Sequence, residues 1–143
     1  MKSLALTLFA VVLSASIFAQ GKKADEFAKF SEQKFNFGKI KQGVPVNHVF
    51  EFTNISDQPL VIESATASCG CTTPTWPQQP TAKGKSNKIT AGFNAASAGP
   101  FEKTIFVKVA GADQPLELRI SGEVLNAEQY AKFESEKDKK SGK

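Results

Sequence analysis

The stretch LELRISGEV, residues 116–124, is the clearest guide to the fold of this chain. Its apolar side chains are Leu116, Leu118, Ile120 and Val124, and its polar ones are Glu117, Arg119, Ser121 and Glu123. Successive side chains of an extended strand point to opposite faces of a sheet. The alternation therefore predicts a strand with one face on an apolar core and the other face in water.

The same period of two recurs upstream of residue 116. It is seen in residues 35–38, 46–53, 60–63, 89–94 and 104–109. Turn-forming segments separate these stretches, at residues 42–45, 54–59, 82–85, 98–100 and 110–115. Short strands with turns between them, and no helices alternating with them, are typical of an antiparallel β-sandwich. We therefore predict an all-β fold of about seven strands over residues 35–125, with phenylalanine rings filling much of the core.

Residues 1–19 have the parts of a secretory signal peptide: a positive start, an uncharged apolar run, and small residues before the end. We predict cleavage after Ala19 and export to the periplasm or to the outside of the cell. The alternative is an uncleaved membrane anchor, although the run is shorter than the ~20 apolar residues that a span needs. Because no second apolar run follows, no membrane span is expected after the signal is removed.

The two flanks of the predicted sandwich are polar. Residues 20–34 contain two phenylalanines at a helical spacing and are interpreted as a tether, with a short helix as the alternative. Residues 126–143 are rich in lysine and glutamate and are interpreted as a charged tail, helical or disordered. In that tail Asn126 is a candidate N-cap, whereas residues 136–143 have no apolar side chain and are expected to be disordered.

The charge pattern argues against nucleic acid as a partner. The net charge is +4, basic and acidic residues are interspersed, and Arg119 is the only arginine. Phosphate and base recognition relies on arginine and on clustered positive charge. We interpret the lysines as a solvated surface that keeps the protein soluble.

The sequence also lacks the motifs of common enzymes and metal sites. It has no histidine pair at zinc-binding spacing and no glycine-rich phosphate loop, so no catalytic residue, metal or cofactor is predicted. His48, the one histidine, is interpreted as a barrel-end or sheet-edge residue with a hydrogen-bond partner; the alternative is a role as base for Cys69 or Cys71. The triplet NIS at residues 54–56 fits a glycosylation acceptor, a pattern that is frequent by chance.

The stretch SCGCTTPTWP, residues 68–77, holds the only two cysteines and the only tryptophan of the chain. Export favours a disulfide between Cys69 and Cys71, and Gly70 is the residue best able to bend the chain between them. Closing so small a ring removes little entropy from the unfolded chain, so the bridge should stabilise the fold only weakly. Strain in such a ring should also make the bridge easy to reduce.

We interpret this bridge as a conformational clip that shapes a loop over residues 72–80. The predicted binding loop consists of Cys69, Gly70, Cys71, Thr72 and Trp76. Trp76 is either an exposed anchor for a partner or a ring lying across the open end of the core.

Five segments together resemble a known family. They are FNFGKIKQG, VFEFTNISDQPLVI, ASCGCTTPTWPQQP, GPFEKTIFV and LELRISGEV, which span about Phe35 to Val124. The pattern is similar to that of bacterial secreted proteins grouped as domain of unknown function 1573, from which the chain departs only in having Ala82, Lys83 and Gly84 at a turn where many members have Pro-Gly. The resemblance implies an immunoglobulin-like β-sandwich of the ASH and Hydin type, and it implies no enzymatic activity.

Two functions of different class follow. The first is an exported binding or structural module of the cell envelope, acting on an unknown protein or envelope component through the Cys-Gly-Cys/Trp loop or a strand edge. The alternative is a thiol redox or copper(I)-handling protein that uses Cys69 and Cys71, because thiolates are good ligands for copper(I).

Overall fold

The structure, a computed structural model, describes residues 21–141, so the predicted signal peptide lies outside the described residues. Within these residues the elements are β1 (Ala28–Phe30), β2 (Lys34–Lys41), β3 (Val46–Asn54), β4 (Ile62–Ala67), β5 (Thr72–Thr75), β6 (Ser86–Phe93), β7 (Gly99–Val109), β8 (Leu116–Leu125) and α1 (Ala127–Ser141). A short 3-10 helix, Ala24–Glu26, precedes β1. The all-β prediction is confirmed, with eight strands in this part of the chain where about seven were expected.

The described strands form two sheets packed face to face. The first sheet has the order β1-β3-β6-β5, and the second has the order β2-β8-β7-β4. Neighbouring strands are antiparallel except β2 and β8, which are parallel. The alternating stretch of residues 116–124 lies in β8, and its Leu118 and Ile120 are fully buried between the sheets. The period-two pattern therefore reports burial of one face of each sheet.

The segment predicted to be a tether, residues 20–34, contains part of the sandwich. Its β1 pairs with β3 at the edge of the first sheet, and the rings of Phe30 and Phe52 lie 5.3 Å apart between centroids. Ala28 and Phe30 are buried while Lys29 is exposed, which is strand alternation. A strand of 3 residues is too short for this alternation to be distinguished from a helical spacing in the sequence.

The predicted loop over residues 72–80 also contains a strand. β5 lies at the edge of the first sheet and pairs with β6 through register partners such as Thr73 and Gly92. Its sequence, TTPT, has no apolar alternation, and proline normally argues against a strand. Pro74 is tolerated because an edge strand has one side on which no backbone N–H is needed.

Helix α1 begins where the sequence predicted it. Asn126 Oδ1 accepts a hydrogen bond from the backbone N of Gln129 at 2.9 Å, and the side chain of Gln129 accepts one from the backbone N of Asn126 at 3.1 Å. This is a capping box. The helix continues to Ser141, so the prediction of disorder is wrong for residues 136–141. Glutamate and lysine are good helix formers, so a segment without apolar residues can still extend a capped helix.

The last turns of α1 should nevertheless be dispensable for folding. Tyr130 and Phe133 of this helix are half-buried, and Lys41 and Lys39 lie over their rings at 5.9 Å and 5.3 Å, respectively. Truncation after Ser135 keeps both rings, so we expect the melting temperature to change by no more than about 2 °C. Calorimetry of the two forms tests this. Truncation after Asn126 is the matched control, and it should lower the melting temperature clearly because both rings are lost.

Candidate functional site

The Cys-Gly-Cys segment is a corner that joins the two sheets. β4 ends in the second sheet, and residues 68–71 carry the chain across to β5 in the first. The backbone N of Ser68 donates to Thr104 O of β7 at 2.9 Å, and the backbone N of Asn94 donates to Cys71 O at 3.1 Å. The corner is thus attached to the second sheet through Ser68, before the bridge, and to the first sheet through Cys71, at its end.

Cys69 and Cys71 are at disulfide distance, as the sequence predicted, with their Cα atoms 5.3 Å apart. Thr72 is buried beside them, and its Oγ1 lies 3.7 Å from Cys69 Sγ and 4.0 Å from Cys71 Sγ. Gly70 is exposed, and a Cβ added to it would meet nothing within 4 Å. The bridge therefore has the buried threonine on one side and open space at Gly70.

Trp76 follows β5 directly and lies at the border of the core. It is half-buried and packs against the core cluster. It also lines a cavity of about 230 Å³ together with Thr75, Pro77, Asn87, Lys88 and Thr90. Trp76 thus contributes to the packing of the core and also lines this cavity at the end of β5.

The outer face of the first sheet next to β5 carries no charge over two rows of side chains. The first row, across β3, β6 and β5, is Asn47, Gly92 and Thr73, and the second is Val49, Thr90 and Thr75. The following row has Glu51 opposite Lys88. A Cβ at Gly92 would lie 2.9 Å from Thr73 Oγ1 and 3.0 Å from Asn47 Oδ1, so the glycine lets these two polar side chains approach each other.

The side chain of His48 contacts Glu32 and Phe35. Its Nε2 lies 2.8 Å from Glu32 Oε1, and its ring stacks on Phe35 with a centroid distance of 3.5 Å. It thus has the hydrogen-bond partner that was predicted from the sequence. In residues 21–141 no hydrogen bond joins His48 to Cys69 or Cys71, so the geometry does not make it their base.

The Asn54 side chain of the NIS triplet is fully buried. Its Nδ2 donates to Gln58 O and to Thr81 O, each at 2.8 Å. In the folded protein the amide nitrogen is therefore not accessible for glycosylation.

Arg119 does not present a free positive charge. Its guanidinium donates to Glu117 at 2.8 Å and lies 3.7 Å from Glu102. The hydrogen bond and charge of Glu117 raise the pKa of Arg119 above its ordinary value. The arginine lines a cavity of about 290 Å³ together with Asp25, so this cavity is not purely basic.

The described part of the chain contains no cluster of three or more histidine, cysteine, aspartate or glutamate side chains that could hold a metal ion. Between residues 21 and 141, no helix has both the length and the apolar character needed to cross a membrane.

Known structures share the architecture of this chain at low sequence identity. The ASH/PapD-like domain of human CEP192 (PapD-like domain 7) has a TM-score of 0.56 at 11% identity, with 80% of this chain and 97% of that domain covered. A protein of unknown function from Porphyromonas gingivalis W83 has a TM-score of 0.58 at 13% identity, with 78% of this chain and 51% of that chain covered. The Vibrio cholerae VesB protease has a TM-score of 0.55 at 18% identity, with 71% of this chain and 33% of that chain covered. At these identities the likeness concerns the fold alone, and the chain spans about half of the second protein and a third of the third.

No curated protein matches the chain in sequence. A family model does match, described as protein of unknown function (DUF1573), and the match covers residues 28–124. Its first residue coincides with the start of β1 and its last lies in β8, so it spans all eight strands described above. The chain therefore belongs to the DUF1573 family of proteins of unknown function.

Proposed function

We propose that this protein is an exported, non-enzymatic binding module of the cell envelope that holds its partner at β5. The sequence predicted two alternative binding surfaces, the Cys-Gly-Cys/Trp loop and a strand edge. The single observation that carries the proposal is that these are the same surface, because the segment contains β5, the edge strand of the first sheet.

The free edge of β5 favours a partner that donates hydrogen bonds. The bond from Asn94 N to Cys71 O sets the register with β6, so the carbonyls of Thr72 and Pro74 point away from β6. Pro74 has no N–H and cannot donate. An edge of this kind is protected against pairing with another copy of itself but can accept bonds from a different molecule.

Trp76 is the natural anchor of this surface. Tryptophan is enriched among the residues that contribute most to binding, and a half-buried ring is already ordered before a partner arrives. The neighbouring rows of threonine, asparagine and valine are uncharged, which favours a neutral or weakly charged partner surface over a polyanion.

Export is the part of the proposal that rests on the sequence alone. The N-terminal sequence of the protein recovered from the periplasm or culture medium is expected to begin at Gln20. Recovery of the chain only in the membrane fraction, with Met1 intact, would contradict export.

The binding surface can be tested by photo-crosslinking in cells that produce the protein naturally. A photoreactive amino acid at Thr75 should form a specific adduct, whereas the same amino acid at Phe106, 37% exposed on the outer face of the second sheet, should not. Trp76→Ala in the Thr75 probe should weaken partner binding by about tenfold or more, and Trp76→Phe should retain part of it. Equal adducts from both probe positions, or an adduct insensitive to Trp76→Ala, would reject β5 as the binding surface.

The copper(I) alternative has less support. Among the described residues the two cysteines have no histidine, carboxylate or further thiol in a metal-binding cluster with them, so any site would have two ligands only. Binding at β5 is therefore the function we propose.

A further inference from the structure

We propose that the Cys69–Cys71 bridge is a reducible latch that keeps β5 attached to β6. When a dithiol opens the bridge, β5 separates from β6 while the rest of the sandwich stays folded. The consequence for partner binding rests on the function proposed above, whereas the release of β5 itself does not.

The bridge is accessible to an attacking thiolate. Both cysteines are half-buried rather than buried, and Gly70 between them is exposed with open space around it. Thr72 Oγ1 lies on the protected side, within 4.0 Å of both sulfurs. Its hydroxyl can donate a hydrogen bond to the thiolate that leaves when the bridge is opened.

The chemistry balances with a dithiol as the reductant. One thiolate of the dithiol attacks a cysteine sulfur, a mixed disulfide forms, and the other cysteine leaves as a thiolate that takes up a proton. The second thiol of the dithiol then attacks the mixed disulfide and releases the first cysteine. Two electrons pass from the dithiol to the bridge, giving two cysteine thiols and one oxidised dithiol.

The position of the bridge links its opening to β5. Cys71 O accepts the hydrogen bond from Asn94 N, and Cys69 O accepts one from Thr72 N at 3.3 Å, so both cysteines hold the first residues of β5 in register. Opening the ring frees the backbone between Cys69 and Cys71 to rotate. β5 is then held only by its own pairing with β6. It is a strand of 4 residues at a sheet edge, and its Pro74 has no backbone N–H to donate. Short edge strands have the lowest local stability in a sheet.

β6 and β4, the neighbours of the corner, are each paired with a further strand. Opening the bridge should therefore release β5 alone. β6 is paired with β3 on its other side from Ser86 to Phe93, and β4 is paired with β7 from Ile62 to Ala67. Neither pairing includes a residue of the corner. Opening the bridge should therefore leave both sheets otherwise intact.

Trp76 provides a direct measurement, because it is the only tryptophan of the chain and follows β5 immediately. Addition of dithiothreitol to the folded protein should shift its fluorescence emission to longer wavelength and increase its quenching by acrylamide. The bridge-free variant Cys69→Ser/Cys71→Ser should show the shifted emission from the start and should not respond to dithiothreitol. This variant controls for effects of the reagent that do not involve the bridge.

Hydrogen exchange locates the change. The amides of Thr90, Gly92 and Asn94, which face β5, should exchange at least tenfold faster after reduction, while the amide of Ile120 in β8 should not change. Unchanged fluorescence and exchange after reduction would overturn the latch. Accelerated exchange at Ile120 as well would also overturn it, since the bridge would then support the whole sandwich. Should the double variant fail to fold, the reduced wild-type protein gives the same measurements.

The link to binding has a separate readout. Reduction should abolish the crosslink from Thr75, because the β5 surface no longer exists. If β5 is released but the crosslink persists, the latch proposal stands and the proposed binding surface is contradicted. A crosslink lost only on reduction, together with released β5, supports both.

Discussion

Replacement of Asn54 by alanine is expected to lower the free energy of unfolding by roughly 3–4 kcal/mol, because several buried polar groups lose their partners at once. Besides its two bonds to Gln58 O and Thr81 O, the side chain accepts bonds at Oδ1 from Ser56 N at 2.9 Å and from Ser56 Oγ at 2.8 Å. Its backbone also pairs with Lys85 O and with Gly84 N. The residue thus joins the end of β3 to the turn before β4 and to the segment before β6.

Urea unfolding followed by circular dichroism measures this loss. Asn47→Ala is the matched control, because Asn47 is exposed on the outer face of β3 and its removal should change stability by no more than about 0.5 kcal/mol. Asn54→Asp should also be strongly destabilising, since it keeps the acceptor but points a second oxygen at two carbonyls. A loss below about 1 kcal/mol in Asn54→Ala would mean that water replaces the side chain.

Gly122→Ala is expected to destabilise the protein by roughly 1–3 kcal/mol through overpacking of β8 against β2. A Cβ at residue 122 would lie 2.8 Å from Gly38 O and 2.9 Å from Phe101 Cε1. The first of these atoms belongs to the backbone and cannot rotate away. Gly38 itself is held in a left-handed conformation, with φ 68°, where the register of the parallel pair shifts between Asn36 and Lys39.

The control for this prediction is Gly70→Ala, at a glycine with nothing within 4 Å of the added Cβ and no left-handed φ. Its unfolding midpoint in urea should be nearly unchanged. Equal effects of the two substitutions would indicate that loss of glycine flexibility, rather than the close approach of β2 and β8, sets the stability.

The sequence predicted the candidate site only in part. The identity of Cys69 and Cys71 and the compartment suggested by residues 1–19 were enough to predict a bridge. The sequence predicted a loop where β5 lies, because Pro74 and the threonines around it show no apolar alternation. Nothing local distinguishes an edge strand of mixed polarity from an irregular segment. The uncharged rows beside β5 were not predicted either, since they combine residues from three strands. One signal was available in the sequence. Asn47 and Val49 are two residues apart, as are Thr73 and Thr75, so each pair is expected on a single face of its strand.

Asn54 illustrates a different limit. Its place before Ile55 and Ser56 suggested a modification site, whereas its partners Gln58 and Thr81 determine that it is buried. Thr81 is 27 residues away, and a contact over that separation leaves no mark in the local pattern.

What the sequence determined by itself is the β-sandwich and the N-cap of α1. Alternation over residues 116–124 and the capping pair Asn126 and Gln129 are local signals, expressed in side-chain spacing of two and three residues. What only the tertiary structure decided is the parallel pairing of β2 with β8, the inclusion of β1 in the first sheet and the attachment of β5 to β6. Strand partners are selected by non-local packing and by backbone hydrogen bonds, which every residue except proline can donate and every residue can accept. The side-chain sequence of a short strand therefore does not specify its neighbour.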